Sequence, residues 1–254
     1  MRNWALVTGA SSGIGESFTR LLAAANFNLV LVARDEVRLN ELAAGLKEKY
    51  GVDSIVIVAD LATESGCFKV EEFISNNEIE VLVNNAGFGI NKPFTVSDLA
   101  REEEVLKVLV RTPMRLMHVA LPKMKARNSG VIINVSSVAS FIAGGAYSAS
   151  KSYLTVLSES LHTELSATNI KVSALCPGFT RTEFHQRGRM KMAGLPQFMW
   201  LNSDALVAKA WKDALAGKAV SIPGWQYKLL VGFISLMPRS LVKRVGMNLR
   251  VKQR

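Results

Sequence analysis

The stretch "WALVTGASSGIG" (4–15) runs from an apolar segment into a turn carrying Gly9, Gly13 and Gly15, and then into a helical pattern. A strand that hands over to a helix through glycines is the start of a βα unit, because residues without a Cβ let backbone come close to a ligand beyond the strand end. The helix opening there directs unpaired N–H groups and positive partial charge at the same place, which suits a pyrophosphate. Alone, such a turn also fits a tight βα connection that binds nothing.

Outward from this turn the pattern repeats. Apolar, β-branched runs follow at "NLVLVA" (28–33), "SIVIVA" (54–59), "EVLVNN" (80–85), "VIINVS" (131–136), "KVSALC" (171–176) and "AVSI" (219–222). Between them lie segments such as "DEVRLNELAAGLKEKYG", where Val37, Leu39, Leu42 and Leu46 keep helical spacing before Gly51. Strands apolar on both faces predict a parallel sheet covered on both sides. The expected fold is therefore α/β: a doubly wound, Rossmann-like parallel sheet of about seven strands with helices on both faces.

At 254 residues, 49% of them hydrophobic, the chain is long enough for one sizeable core and cramped for two. A single domain is expected over 1–254, with its core at 4–222 and a basic, variable C-terminal extension at 223–254. Only Cys67 and Cys176 are present, both near apolar runs, which predicts reduced, buried thiols. The first strand begins by Trp4 and leaves no room for a secretory signal, so a cytoplasmic protein is expected.

The net charge is +10, but residues 214–254 hold eight basic residues and no Asp or Glu, leaving +2 for residues 1–213. Basicity confined to one end argues against a nucleic-acid groove across the domain. The run "LLVGFISLM" (229–237) has nine residues, well short of the ~20 that span a bilayer. The segment "RSLVKRVGMNLRVKQR" after it sets Leu241, Val242, Val245 and Leu249 among basic neighbours. That pattern fits peripheral contact with an anionic membrane, and equally a terminal helix docked on its own domain or on a partner subunit.

The chemistry concentrates at strand ends. In "AYSASK" (146–151), Tyr147 and Lys151 are four apart and share one face of a helix, and a cation beside a phenol favours the phenolate. Together, "TGASSGIG" (8–15), "NNAG" (84–87), "NVSS" (134–137), Tyr147-x-x-x-Lys151 and "CPGFTRT" (176–182) resemble, in order and setting, the short-chain dehydrogenase/reductase family. The resemblance covers about residues 4–222.

The resemblance implies that Tyr147 donates or accepts the substrate proton. Lys151 would lower the Tyr147 pKa and bind the nicotinamide ribose, and Ser137 would hydrogen-bond the reacting oxygen. It also implies that Gly9, Ser11, Ser12, Gly13, Ile14 and Gly15 cradle the cofactor phosphates. Asp60 and Leu61 would border the adenine, and Asn85, Ala86 and Gly87 would line the trough, with Asn84 bracing neighbouring strands. Pro177, Gly178, Thr180 and Thr182 would surround the nicotinamide. Arg34 ends the second strand, where a guanidinium suits a 2′-phosphate, so NADP(H) is expected over NAD(H); the alternative is a solvated arginine neutralised by Asp35.

For the substrate, Phe88, Gly89 and Ile90, with Phe184, Met190, Met192, Leu195, Phe198, Met199 and Trp200 in the segment 183–202, predict a lid over an apolar carbonyl or alcohol; core packing is the plainer reading. His185 has no second ligand at metal spacing, so no metal is expected. A homodimer or homotetramer is expected.

Two departures from the family stand out. Ser137 precedes Tyr147 by a shorter step than is usual, so "SFIAGG" must take a tight path. Leu109 stands where the family has its tetrad asparagine, and Pro113, four residues on, has no N–H for the Leu109 carbonyl, which predicts a helix break there. The leading function is an NADP(H)-dependent oxidoreductase acting on a carbonyl/hydroxyl pair. The alternatives are a catalytically silent NADP(H)-binding regulator and a membrane- or nucleic-acid-binding protein.

Overall fold

Alternation along the strands builds the sheet. In the computed structural model, which describes residues 2–90, 92–183, 196–238 and 242, the strands are β1 (Trp4–Thr8), β2 (Asn28–Ala33), β3 (Ser54–Val58), β4 (Val81–Asn84), β5 (Gly130–Val135), β6 (Ile170–Leu175) and β7 (Val220–Ser221). Ala5 and Val7 of β1, Leu29 and Leu31 of β2, and Val81 and Val83 of β4 face one apolar layer. Leu6, Val30, Val32 and Leu82 face the other. A period of two with apolar residues in both phases leaves no solvated face, so helices cover both sides.

One face carries α1 (Gly13–Ala24), α2 (Glu36–Tyr50) and α7 (Ser203–Leu215), through residues such as Phe18, Leu39 and Val207. The other carries α3 (Glu64–Asn76), α4 (Leu99–Leu106), α5 (Thr112–Arg127) and α6 (Ala146–Glu164), through Val70, Val105, Leu116 and Leu154. A last helix, α8 (Trp225–Leu236), follows β7. Each fully buried Leu or Phe contributes about 1.5–3 kcal/mol, so the two layers carry most of the fold's stability. Asp35 caps α2 by accepting from Arg38 N–H, and Gly51 ends that helix at φ 64°, a left-handed conformation that glycine adopts without strain.

The seven strands lie in the order β3-β2-β1-β4-β5-β6-β7 and every pair is parallel. The chain runs outward from β1 to β3, then returns to the far side of β1 at β4. That reversal opens a crevice beyond the carboxyl ends of β1 and β4, where ligands of such sheets bind. Cys67 and Cys176 are free and buried.

Candidate active site

The crevice is bounded first by the glycine turn. Gly9 (φ 66°) and Gly13 (φ 57°) are left-handed, and a Cβ on Gly9 would stand 2.8 Å from Asn85 Nδ2. A Cβ on Gly15 would collide with the Gly9 carbonyl oxygen, so this third glycine lets α1 seat against the end of β1. Ser12 precedes α1 in an extended conformation, and its side chain makes no capping bond to the helix. The first amides of α1 are thus left for a ligand. Ser11 and Ser12 are half-buried, and Ile14 packs on the apolar layer.

Thr8 locks the turn to its neighbour: its Oγ1 accepts from Asn85 N–H (2.9 Å) and Ala86 N–H (3.0 Å). Asn85 Nδ2 donates to Thr8 O at 2.9 Å. Asn84 points the other way and donates to Asn134 Oδ1 at 2.8 Å, bracing β4 against β5. A Cβ on Gly87 would stand 2.7 Å from Leu109 Cδ2, so Gly87 admits that close approach.

Arg34 follows β2 directly, is exposed, and forms no hydrogen bond or ion pair among the described residues. Asp35 does not neutralise it. That carboxylate is engaged at the start of α2 and with Arg38 Nε at 3.6 Å, while Arg38 in turn holds Glu183 at 3.0–3.1 Å. Asp60, after β3, is exposed and accepts from Ala62 N–H; Leu61 is buried, and its carbonyl accepts from Thr112 Oγ1.

Ser137, Tyr147 and Lys151 come together beyond β5. Ser137 begins a short 3-10 helix (Val138–Phe141) by accepting from Ala139 N–H at 3.1 Å, and its hydroxyl bonds the Tyr147 phenol. The tight path is made by Gly145, at φ 81°, immediately before α6. Lys151 is buried; its Nζ donates to Val135 O at 2.6 Å and stands 5.8 Å from the Tyr147 ring centre. Ser136 Oγ and Thr155 Oγ1 both donate to Lys151 O, which fixes the start of α6 on the end of β5.

The electrostatics differ from the sequence expectation of a phenol acidified by Lys151. Burial pushes the Tyr147 pKa up to about 12, with the Ser137 hydrogen bond acting against it, and burial pushes Lys151 down to about 8. Desolvation dominates both shifts, and the Lys151 ammonium is held by the Val135 carbonyl.

The helix break at Leu109 takes the form of a wide turn. Between α4 and α5, Lys107–Arg111 form a π turn in which Thr112 N–H donates to Lys107 O, five residues back. Pro113 sits in the first turn of α5 and cannot serve the Leu109 carbonyl. A cavity of about 10 Å³, large enough for roughly one water, is lined there by Thr8, Asn84, Leu109, Pro113 and Lys151 among others. The buried Asn84 Oδ1 has no hydrogen-bond partner.

The loop after β6 closes the crevice. Pro177 O accepts from Val138 N–H at 3.0 Å, and buried Thr180 donates to Gly178 O. Thr182 lies against Gly13, on the glycine-turn side of the crevice. Tyr227 of α8 holds this loop: its hydroxyl accepts from Phe179 N–H at 2.9 Å and donates to Met199 O at 2.5 Å. The Phe179 and Trp200 rings meet at 6.1 Å. Phe88 and Ile90 are half-buried against the apolar layer, and Arg101 stands over the Phe88 ring. Phe184, His185, Met190, Met192 and Leu195 lie outside the described residues. Among the described residues no three His, Cys, Asp or Glu side chains cluster as a metal site.

With this geometry in hand, residues 3–193 match the family model described as short chain dehydrogenase. The chain belongs to the short-chain dehydrogenase family. The chain is 32% identical over 188 residues to a very-long-chain 3-oxoacyl-CoA reductase of Anas platyrhynchos, covering 71% of the chain and 60% of the relative. It is 30% identical over 185 residues to an inactive hydroxysteroid dehydrogenase-like protein 1 of Homo sapiens, covering 70% and 56%. The chain thus spans about three-fifths of the length of these curated relatives. Among solved structures it resembles a short-chain dehydrogenase from Sphingobium yanoikuyae in complex with NADPH, with a TM-score of 0.84, 32% identity, and 93% and 96% of the two chains covered.

Three residues that shape this site were not singled out from sequence: Thr8, Arg38 and Tyr227. Thr8 carries a local signal, a hydroxyl at a strand end before a glycine. The Arg38–Glu183 and Tyr227 contacts carry none, since their partners are distant in sequence.

Proposed function

We propose that this protein is an NADP(H)-dependent oxidoreductase that interconverts a carbonyl and a hydroxyl on an apolar small molecule. The single observation that carries this reading is the convergence of Ser137, Tyr147 and Lys151 at the end of β5, beside the glycine turn. The residues present fit a nicotinamide dinucleotide. Gly9 and Gly15 are a cradle that any Cβ would fill, and the uncapped start of α1 offers amides to a pyrophosphate. The exposed guanidinium of Arg34 directly after β2 suits a 2′-phosphate, which supports NADP(H) over NAD(H), as does the likeness to an NADPH complex.

When bound, the nicotinamide supplies or takes up the hydride. The protein's own groups handle the proton. A phenol held near pKa 12 stays protonated at neutral pH, so Tyr147 serves as proton donor to a carbonyl oxygen, and Ser137 hydrogen-bonds that oxygen. Lys151 stands beside Tyr147, and the cavity that both Leu109 and Lys151 line has room for roughly one water that could relay a proton to it. The half-buried Phe88, Ile90 and Trp200 support an apolar substrate, and a homo-oligomer fits the apolar side chains exposed on α5 and α6, Met114 and Val156.

A second reading, a silent NADP(H)-binding regulator, is favoured by Leu109 in place of the tetrad asparagine and by the likeness to a relative named inactive. The test is NADPH oxidation with a panel of ketones and aldehydes, with Tyr147→Phe as control. Turnover that falls by about 10²–10⁴-fold in the variant, with NADPH affinity retained, is expected. NADPH binding with no turnover of any carbonyl would leave the regulator.

A further inference from the structure

The helix α8 is apolar on two sides. Its inner side is explained: Tyr227, Val231 and Ile234 are buried against the domain. Its outer side carries Trp225 (69% exposed), Leu229 (66%), Phe233 (64%) and Leu236 (87%). Steps of four, four and three place these four side chains in one arc along the helix, with Lys228 exposed at the arc's edge. Large apolar groups in a row, at such exposure, mark a surface that meets something other than water.

Charge decides between the candidates. Residues 214–254, which include the whole helix and the chain beyond it, hold eight Lys or Arg and no Asp or Glu. A second copy docked two-fold on this face would set that charge against itself. A membrane surface carrying anionic lipid attracts it, and accepts the apolar arc between headgroups with Trp225 at the interfacial level. The helix is 12 residues long and lies along such a surface rather than across it; no helix among the described residues is long and apolar enough to cross a membrane.

We infer that the outer face of α8, together with the basic residues that neighbour it in the sequence, docks this protein on anionic membranes. The contact would lie close to the crevice. Gln226 Nε2, one residue from Trp225, donates to the carbonyl of exposed Phe198, and Tyr227 on the same turn holds the loop after β6. A molecule partitioned in the bilayer would therefore approach the site from the docked side.

The full chain should be mixed with sedimenting vesicles of phosphatidylcholine alone and of phosphatidylcholine with phosphatidylserine. Binding to the anionic vesicles, weakened by salt, and little to the neutral ones is expected, with a blue shift of Trp fluorescence that Trp225→Phe removes. A Leu229→Ser/Phe233→Ser variant should lose roughly tenfold or more in vesicle affinity, with melting temperature, NADPH binding and mass by light scattering unchanged. Equal binding by that variant would reduce the contact to the basic residues alone and overturn the role of α8. Equal binding to neutral vesicles, or none to anionic ones, overturns the proposal as well. A variant that leaves vesicle binding intact but lowers the oligomeric mass would make a second copy the occupant, and a lowered melting temperature would make it this chain's own C-terminal segment.

Discussion

The turn after β1 and the loop after β6 stand on opposite sides of one crevice, and each contains a glycine with no room for a side chain. At Gly15 the obstacle is the carbonyl of Gly9, six residues away in the same turn; at Gly178 it is the ring of Tyr227, forty-nine residues further on. In the first region the nearest obstacle, at Gly15, is backbone of its own βα unit, with the Asn85 side-chain amide next. The second is shaped by a side chain brought from the far end of the chain. Local shaping leaves a motif in the sequence, and long-range shaping does not.

The strongest test of this contrast is Gly15→Ala. With the Gly9 carbonyl as its nearest obstacle, it should destabilise the protein by about 3 kcal/mol and abolish NADPH binding, measured by urea denaturation and cofactor titration, and truncating the next nearest group with Asn85→Ala should not restore it. Gly178→Ala should cost somewhat less, about 2 kcal/mol, and here a second change can help. Truncating the ring with Tyr227→Leu should recover about 1 kcal/mol of coupling in a double-mutant cycle. Additive losses would show that Gly178 answers to backbone strain instead, and the contrast would fail.

Arg34→Ala probes charge rather than shape on the first side. Removing one charged hydrogen bond to the 2′-phosphate should weaken NADPH by about 1.5–2 kcal/mol, a factor of roughly ten to thirty, and leave NADH nearly unchanged. Equal losses for both cofactors would remove Arg34 from that role.

The smallest effect concerns Lys151, between the two regions. Its folded pKa of about 8 lies below the ordinary 10.5, so the unfolded chain binds the extra proton between those values and this group adds stability as pH rises through that window. Between about pH 8 and pH 9.5 the stability of the wild type measured against Lys151→Met should rise, by less than about 1 kcal/mol per pH unit, over the fall that the buried thiols of Cys67 and Cys176 give both proteins. A difference that stays flat would show that the ammonium is not desolvated.

The strands were legible because two apolar phases repeat along each of them, and the predicted bounds differ from the observed ones by one residue at most for β1 to β7. The glycine turn and the Ser137, Tyr147 and Lys151 set were legible because strand ends fix them. What sequence could not supply was the partner of a side chain. Asp35 was readable as a counter-ion for Arg34, but it is spent on the amide of Arg38. Thr182 was expected beside the nicotinamide; its contact with Gly13 was not readable. Lys151 was expected to acidify Tyr147, yet its ammonium turns to Val135 O. Each of these depends on a direction in space that spacing along the chain does not encode.

The wide turn at Lys107–Arg111 has a consequence for rotational phase. Val105, Leu109, Pro113 and Met117 recur every fourth residue across it and are all buried. In an uninterrupted α-helix a four-residue step advances the side chain by about 40°, so three steps would swing the last of them by about 120° and carry it off the apolar face. A turn that holds an extra residue takes much of that rotation back. Deleting one residue from 107–111 would therefore do more than straighten a helix. It would rotate all of α5 about its axis, pull Thr112 away from the Leu61 carbonyl, and turn Leu116 and Met117 out of the layer they now fill.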